Sequence, residues 1–342
     1  MVNIMSNTTQ NNTAKIDGVC DMFNNMSTAD NEDSISICAN CGKEGSDVTN
    51  ICNKCKSVKY CNAACKKKHR HKHKKACERR VAELHEEALF KQPPKEEDCP
   101  ICFLRLPNLA SGRIYMVCCG KVICSGCIYA MQERDKGVGL CPFCRSPPER
   151  NSKKMMKLYN KRIELNDTQA IFSVGGYNML GLHGFSRNLT KGLKLWHQAG
   201  ELGYANAYYT IGLAYQCGRG VERDEKKALH YYELAAMGGH ANARRCLGEY
   251  KLRQDGNHHR DNLDKALKHF LIAVECGDPY SLKEIKDLYM NRSSCQCCAP
   301  ATKEYFTKAL QSYQEYLDEI KSEQRDEAAA AHDDYKYYES AF

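Results

Sequence analysis

The chain has 342 residues, a formal net charge of +8 and 22 cysteines. A secreted disulfide scaffold is not expected, because the N-terminal residues turn polar after Met5 and lack the apolar segment of a signal peptide. A membrane protein is not expected either, because no stretch approaches the roughly eighteen apolar residues of a spanning helix. We therefore expect a protein of the cytoplasm and/or nucleus whose closely spaced cysteines bind metal.

Composition divides the sequence into a polar N-terminal arm, two cysteine-rich blocks and a helical C-terminal part. The arm contains few large apolar residues and cannot bury enough surface to offset its ordering entropy, so we predict that it is disordered. The predicted segments are the disordered arm (1–36), the first cysteine block (38–77), a linker helix (78–98), the second cysteine block (99–145), a basic linker (146–165), helical repeats (166–290), and a C-terminal helix with a polar tail (302–342).

The first block contains four closely spaced pairs of soft metal ligands. Two pairs have CxxC spacing, which lets both thiolates of a tight turn face one metal, and the other two pairs lie one helical turn apart. His73 is preferred to the histidines before it because three residues separate it from Cys77. Alternate pairing predicts two tetrahedral zinc sites. Their ligands are Cys38, Cys41, Cys61 and Cys65 in one site, and Cys52, Cys55, His73 and Cys77 in the other.

This spacing, with Tyr60-Cys61 and the His-x3-Cys ending, resembles the MYND-type zinc finger over the whole block. The resemblance implies a protein-interaction module, which in that family often binds short proline-containing peptides. The block ends in a basic stretch, with nine Lys or Arg and one Glu in 66–80. We interpret this stretch first as a solvated helix face and second as a nuclear-targeting patch. Nucleic-acid binding is the least expected role, because no aromatic residues are interleaved for base stacking.

The second block contains eight further predicted ligands. Three of its four pairs have CxxC spacing, which again favours tetrahedral zinc. The remaining pair, Cys118-Cys119, is adjacent in sequence, so both residues can reach one zinc ion only through a strained turn. The eight positions are Cys99, Cys102, Cys118, Cys119, Cys124, Cys127, Cys141 and Cys144. Together, the two blocks predict four zinc ions per chain.

The runs CPIC, CCGKVICSGC and CPFCR of the second block resemble a RING-type zinc finger of the all-cysteine kind. In that family the third and fourth ligands are usually separated by one residue and the fourth is commonly histidine, so the adjacent pair is a departure, with Lys121 at the histidine position in one register. The resemblance implies cross-bracing between two metals. One would be held by Cys99, Cys102, Cys124 and Cys127, and the other by Cys118, Cys119, Cys141 and Cys144.

The same resemblance implies a role in ubiquitin transfer. RING-type ligases have no nucleophile of their own and hold a ubiquitin-charged conjugating enzyme in a reactive pose. Family members contact that enzyme through an apolar residue in the first CxxC, here Ile101, and a proline in the last, here Pro142. An arginine directly after the last ligand, here Arg145, commonly bonds both partners. Turn preference could equally explain the first two residues, and Arg145 could be a solvated cation.

Residues 166–290 repeat a pattern of helix, glycine and helix at intervals of 36 and 38 residues. Each copy has an aromatic residue, a small residue three positions later and a glycine seven positions later. The glycine would supply a left-handed helix end, and a unit of this size needs neighbours to bury its apolar face, so we predict a stacked solenoid. The aromatic residues are Trp196, Tyr232 and Phe270, and the glycines are Gly203, Gly239 and Gly277.

The recurring AxxxG and LGxxY patterns resemble Sel1-like repeats, relatives of the tetratricopeptide family. The third copy has Lys286 where glycine is usual, which is typical of a terminal repeat. The overall fold class is therefore mixed: two small cross-braced zinc-finger modules followed by an all-α Sel1-like helical repeat solenoid. Cys295, Cys297 and Cys298 follow the third copy and are interpreted as free thiols, because no fourth ligand is near in sequence.

Two functions of different classes fit these modules. The first is a RING-type ubiquitin ligase that positions a charged conjugating enzyme while the repeats and the MYND finger bind substrate or partners. The alternative is a non-enzymatic zinc-finger scaffold for protein–protein interactions, for example in transcriptional regulation. The combination of Ile101, Pro142 and Arg145 favours the ligase. The irregular Cys118-Cys119 pair and the number of binding modules favour the scaffold.

Overall fold

The computed structural model describes residues 36–134, 139–254, 260–290 and 301–339. The predicted disordered arm, except its last residue, lies outside these ranges, as do the three cysteines after the third repeat. The chain divides into two compact units, one up to Ala88 and one from Leu89 onward. Among the described helices, none combines the length and apolar character that crossing a membrane requires.

The first unit consists of short strands and turns followed by one long helix. Its elements are the antiparallel strands β1 (Asn50–Ile51) and β2 (Lys59–Tyr60) and the helix α1 (Ala63–Leu89), whose last residue begins the second unit. Residues 78–89 of the predicted linker helix (78–98) are the C-terminal part of α1, and residues 90–98 are not helical. Its buried apolar core is small and consists of metal ligands together with Val48 and Tyr60, so metal binding must supply much of its stability.

The second unit contains one β-hairpin and eleven helices among its described residues. Its elements are β3 (Arg113–Met116), β4 (Lys121–Cys124), α2 (Ser125–Arg134), α3 (Ser152–Glu164), α4 (Thr168–Leu180), α5 (Leu189–Glu201), α6 (Ala205–Cys217), α7 (Glu225–Met237), α8 (Ala241–Arg253), α9 (Arg260–Glu275), α10 (Pro279–Met290), α11 (Lys303–Ile320) and α12 (Glu323–Ala331). Helix α3 occupies most of the stretch predicted as a basic linker.

The C-terminal helix predicted over 302–326 is divided into α11 and α12. The break falls at Lys321 and Ser322, both with extended backbone. The Ser322 side chain accepts a hydrogen bond from the backbone N–H of Arg325, which starts a new helix at this point. The second helix therefore takes its own direction, and it packs against α2.

Glycine ends the aromatic-bearing helix of each repeat in the same way. Gly203, Gly239 and Gly277 have φ values of 94°, 92° and 87°. The residue after each glycine donates its backbone N–H to the carbonyl of the small residue near the helix end, at 3.0 Å in all three copies. This bond, with the left-handed glycine, is the Schellman ending of a helix. The donor–acceptor pairs are Tyr204–Ala199, His240–Ala235 and Asp278–Ala273.

Each repeat packs its aromatic residue directly on a glycine of the preceding helix. A Cβ atom at any of these glycines would lie only 2.5–2.6 Å from the nearest ring atom, so only glycine permits the contact. All three aromatic side chains are buried, which confirms the predicted repeat register. The pairs are Gly175–Trp196, Gly212–Tyr232 and Gly248–Phe270.

Candidate metal centres

Sixteen side chains of the described chain converge in four groups of four, each able to hold one metal ion. Within each group the ligand atoms all lie within 4.8 Å of one another. The grouping is the alternate pairing that the sequence predicts, with His73 as the histidine. The groups are Cys38, Cys41, Cys61 and Cys65; Cys52, Cys55, His73 and Cys77; Cys99, Cys102, Cys124 and Cys127; and Cys118, Cys119, Cys141 and Cys144.

The distances between sulfur atoms fit tetrahedral zinc. Six of the Sγ–Sγ pairs within the groups are separated by 3.6–3.9 Å, for example 3.6 Å for Cys61–Cys65 and 3.9 Å for Cys99–Cys127. A tetrahedron with Zn–S bonds of 2.3 Å has edges of about 3.8 Å, whereas a disulfide would need about 2.05 Å. His73 fits as well, because its Nε2 atom lies 3.2 Å from Cys55 Sγ. Three groups of four cysteines and one of three cysteines and a histidine are donor sets that zinc prefers.

Four of the CxxC turns close with the same hydrogen bond. The residue after the second cysteine has left-handed backbone, and its N–H donates to the carbonyl of the first cysteine at 2.8–3.0 Å. Only one of these residues is glycine; each of the others bears a backbone cost of about 1–2 kcal/mol, less than the order of 10 kcal/mol from one structural zinc ion. The donors and acceptors are Gly42–Cys38, Lys56–Cys52, Phe103–Cys99 and Arg145–Cys141.

The adjacent cysteines reach one group through the turn between β3 and β4. The N–H groups of Cys119 and Gly120 both donate to the carbonyl of Met116, at 3.1 and 2.7 Å. Gly120 has a φ of 73°, and a Cβ atom there would collide with the guanidinium of Arg162. Glycine after the pair therefore allows the sharp turn that the sequence predicts as strained. Adjacency does not prevent Cys118 and Cys119 from joining the same group.

The thiols within a group differ in how readily they ionise. Burial, followed by the neighbouring thiols of Cys52 and Cys55, raises the pKa of Cys77 to about 12. At the exposed edge of the last group, the hydroxyl and backbone N–H of Ser146 lower the pKa of Cys144 to about 6. Four crowded sulfurs cannot all become thiolates unless a cation lies among them. A zinc ion would remove this conflict, and its binding would release protons.

The third group is joined to the C-terminal part of the chain by Arg325, a fully buried residue of α12. Its guanidinium donates to the carbonyl oxygens of Arg105 at 2.9 Å and Ile320 at 2.6 Å, and lies 3.6 Å from Cys102 Sγ. Burial alone would lower the pKa of Arg325, but the sulfurs of Cys124 and Cys102 raise it. A metal ligand and a residue 223 positions later are therefore in direct contact.

Further contacts join the same stretch to the second cysteine block. Ser111 donates to the carbonyl of Lys336 at 2.6 Å, and Ser125 donates to that of Tyr335 at 3.1 Å. A Cβ atom at Gly126 would lie 3.0 Å from the backbone of Arg325, so α2 and α12 cross closely. We call residues 322–337 the C-terminal clasp. The sequence analysis did not predict the clasp, because the pattern of this segment indicates only a helix followed by a polar tail.

The hairpin of the second block also contacts the start of the repeats. Tyr115 on β3 donates to Asp167 Oδ2 at 2.7 Å, and Asp167 caps α4 by accepting from the N–H of Ala170 at 3.2 Å. Arg162 Nε lies 3.7 Å from the same carboxylate. Burial and the bond to Asp167 raise the pKa of Tyr115. The second block is thus tied to both the first repeat and the C-terminal clasp.

The three residues predicted to contact a conjugating enzyme lie in the CxxC turns of the second block. Ile101 and Pro142 are partly buried, and Arg145 is exposed. The structure adds two exposed aromatic side chains that the sequence analysis did not single out. Phe103 is 77% exposed and Phe143 is 41% exposed. They follow Ile101 and Pro142 closely in the chain, so both turns present apolar surface to solvent.

Comparison with known families identifies two module types. The MYND finger model matches residues 38–77, and the Sel1 repeat model matches residues 168–204, 205–240 and 247–278. The chain therefore contains a zinc-binding MYND finger and three Sel1 repeats, both of which are protein-interaction modules. The mixed fold class predicted from the sequence is confirmed. The second block adds two further groups of cysteines that could hold zinc.

Curated relatives match over short stretches. A stretch of 52 residues, 15% of this chain, is 42% identical to E3 ubiquitin-protein ligase DA2 of Arabidopsis thaliana and covers 12% of that protein. A stretch of 52 residues is 40% identical to E3 ubiquitin-protein ligase GW2 of Oryza sativa subsp. japonica and covers 11% of that protein. Chitin synthase regulatory factor 3 of Schizosaccharomyces pombe is 30% identical over 78 residues, 23% of this chain and 8% of that protein. The chain spans about an eighth or less of these relatives.

Solved structures with similarity include a Sel1 repeat protein from Oxalobacter formigenes. It is 20% identical with a TM-score of 0.40, over 62% of this chain and 80% of that chain. The protective antigen c5321 of uropathogenic Escherichia coli, which displays an SLR fold, is 21% identical with a TM-score of 0.38, over 53% of this chain and 36% of that chain.

Proposed function

We propose that the chain is a RING-type ubiquitin ligase whose second cysteine block holds a ubiquitin-charged conjugating enzyme. One observation carries this proposal. The block has two groups of four cysteines, and the turns leading into both groups present apolar side chains to solvent beside an exposed arginine. The arrangement provides a docking surface and a cationic donor. With zinc in both groups, the cysteines would serve as metal ligands and not as nucleophiles.

The similarity to two named ubiquitin ligases supports the proposal, although it covers a small part of each of them. Zinc would serve here to hold the turns in place, and ubiquitin transfer would proceed between the conjugating enzyme and a substrate amine. The contribution of this chain would then be positioning, which can supply a large part of a rate enhancement without any catalytic side chain. The MYND finger and the Sel1 repeats would bind the substrate or other protein partners.

Arg145 is the residue most directly suited to hold the reactive pose. Its backbone bond to Cys141 fixes the start of the side chain, at 2.9 Å. The side chain itself is exposed and makes no ion pair within the described residues. A guanidinium can donate two parallel hydrogen bonds to carbonyl or carboxylate groups of two partners at once. Ile101 and the neighbouring Phe103 would instead supply apolar anchors for docking.

The test is discharge of ubiquitin from a panel of charged conjugating enzymes by the zinc-loaded chain. Arg145→Ala should lower the discharge rate about tenfold or more with zinc content unchanged, because a charged donor worth roughly 1.5–3 kcal/mol is lost. Lys56→Ala is the matched control, because Lys56 has the same left-handed backbone after the second cysteine of a turn in the first unit. It should leave discharge unchanged. Ile101→Ala should weaken docking.

The non-enzymatic scaffold predicts a different outcome. With all zinc sites full, the wild type would not accelerate discharge from any conjugating enzyme, and Arg145→Ala would not alter partner binding. That outcome would replace the ligase proposal by the scaffold.

A further inference from the structure

Helix α1 carries a one-sided concentration of positive charge that the proposed function does not use. Between Lys66 and Ala76 the helix contains no acidic residue. Six of its cationic side chains in this stretch are exposed and form no ion pair within the described residues. They are Lys67, Lys68, Arg70, Lys72, Lys74 and Lys75.

Helical geometry collects these six cations on one surface. At 100° per residue they fall on a continuous arc of about 200°, and the zinc ligands Cys65, His73 and Cys77 lie on the remaining side. The cations extend over nine residues, or roughly 12 Å along the axis. We call this surface the basic face of α1.

The second half of the same helix is neutralised by its own residues. Arg79 lies 3.8 Å from Glu83, while Arg80 lies 3.1 Å from Glu83 and 2.8 Å from Glu87. A helix face whose only role is to contact solvent could have Arg–Glu ion pairs of this kind along its whole length. The contrast within one helix indicates that the charge of the first half remains available for a partner.

The spacing of the charges fits one class of partner. Six positive charges over roughly 12 Å correspond to about one per 2 Å, and double-stranded DNA carries about one negative charge per 1.7 Å of its axis. A helix of 10–12 Å diameter also fits the B-form major groove, which is about 12 Å wide, whereas the major groove of duplex RNA is too narrow. We propose that the basic face of α1 binds the phosphate backbone of double-stranded DNA.

Other partners fit this surface less well. The basic face contains no large apolar side chain that could insert into a lipid bilayer or anchor a protein interface. It also lacks Phe, Tyr and Trp side chains for stacking on unpaired bases, and the absence of such interleaved side chains was the reason to expect no nucleic-acid binding from the sequence. That reason applies only to single strands, because contacts with the phosphate backbone of a duplex do not require stacking. Because lysine and arginine contacts to phosphates carry no sequence information, binding should be independent of sequence.

The test uses the full-length zinc-loaded chain and a fluorescent 20-base-pair DNA duplex, with anisotropy measured from 50 to 200 mM KCl. Six phosphate contacts predict a slope of log K against log salt of about −5. The variant with Lys67→Gln, Lys68→Gln and Lys72→Gln should reduce the magnitude of this slope by about 3 and weaken binding at least tenfold at 100 mM. Zinc content shows whether the finger stays folded. If it does not, Lys68→Gln with Lys75→Gln replaces the triple variant and should reduce the slope by about 2.

The matched control removes three exposed lysines from α3, with Lys153→Gln, Lys154→Gln and Lys157→Gln. It has the same net charge as the triple variant of α1 and should bind DNA within about twofold of the wild type. Equal weakening by both variants would mean that overall charge attracts DNA, and would overturn the proposal. So would absent DNA binding at 50 mM KCl, an unchanged slope in the folded α1 variant, or tighter binding to duplex RNA or phosphatidylserine vesicles.

Discussion

The two cysteine-rich modules of this chain use the same ligand chemistry, but their ligands are held by different parts of the sequence. In the first, a short β-ladder and one face of α1 place all eight ligands within residues 38–77. In the second, residues 99–144 supply the ligands, while Arg325 of the C-terminal clasp and Asp167 of the first repeat bind the surrounding turns.

This difference indicates what each metal site stabilises. Zinc in the first module organises a local segment with a core made mostly of its own ligands. Zinc in the second module would fix turns to which two distant helices are bonded, so its binding energy would be shared with those helices. Loss of metal should therefore remain local in one module and spread in the other.

The largest effect is expected from removing one ligand in each module. Cys38→Ser and Cys99→Ser should each lower the zinc content from four ions per chain, since a structural site contributes of the order of 10 kcal/mol to folding. Cys99→Ser should also lower the thermal midpoint of the repeats by about 5 °C or more, because the turn bonded to Arg325 is released. Circular dichroism at 222 nm measures the midpoint.

In Cys38→Ser the same midpoint should stay within about 1 °C of the wild type. Equal shifts in the two variants would mean that the two modules stabilise the chain in the same way.

The next effect concerns the clasp itself. Arg325→Gln should lower the free energy of unfolding of the second unit by about 3–5 kcal/mol, because buried carbonyl oxygens of Arg105 and Ile320 lose their donor. Urea denaturation measures this change, and zinc release to a chelating dye should become faster. Arg80→Gln, which removes a partly exposed guanidinium from α1, should cost less than about 1 kcal/mol. A similar cost for both variants would show that the clasp does not support the second module.

The smallest effect per residue is a pH dependence that arises from two histidines of the repeats. Burial lowers the pKa of His240 and His269 to about 3. The unfolded chain binds a proton at each position below about pH 6.5, whereas the folded chain remains neutral there until about pH 3. Stability should therefore fall as pH decreases through this window, by about 2 kcal/mol per histidine at pH 5.

His269→Phe isolates one of these contributions. Both ring nitrogens of His269 lack a hydrogen-bond partner within the described residues, its ring packs on Phe90, and the charges that face it are those of Arg244 and Lys251. Between pH 7 and pH 5, the free energy of unfolding of the variant should fall by about 2 kcal/mol less than that of the wild type. Urea denaturation at each pH measures this difference. An identical loss would mean that His269 is protonated in the folded state.

The sequence predicts the ligand groups and the repeat register because both depend on short spacings. CxxC turns, one-turn ligand pairs and the interval between aromatic and glycine are local patterns, and each corresponds to one geometry. His73 followed from its distance to Cys77. The repeats could be aligned because Trp196, Tyr232 and Phe270 are each followed by a small residue three positions later and by a glycine seven positions later.

Other features depend on contacts that no local pattern records. The bond between Arg325 and Cys102 joins residues 223 positions apart, and an arginine between Gln324 and Asp326 resembles any exposed helical residue. The left-handed backbone at Phe103 and Arg145 is imposed by metal-site geometry against local preference. The break before α12 arises at Ser322, because its side chain caps a new helix among residues that would otherwise continue the old one.

The C-terminal clasp also sets an order in which the chain can mature during synthesis. A ribosome that has just added Cys127 must add about 200 further residues before Arg325 exists, which takes roughly 10–40 s at 5–20 residues per second. During that interval the nascent cysteines of the second module lack their partner helix, although those of the first module are already complete. A chain that stops before the clasp would therefore display an unfinished module, and its exposed thiols and apolar turns would mark it for chaperones and proteases.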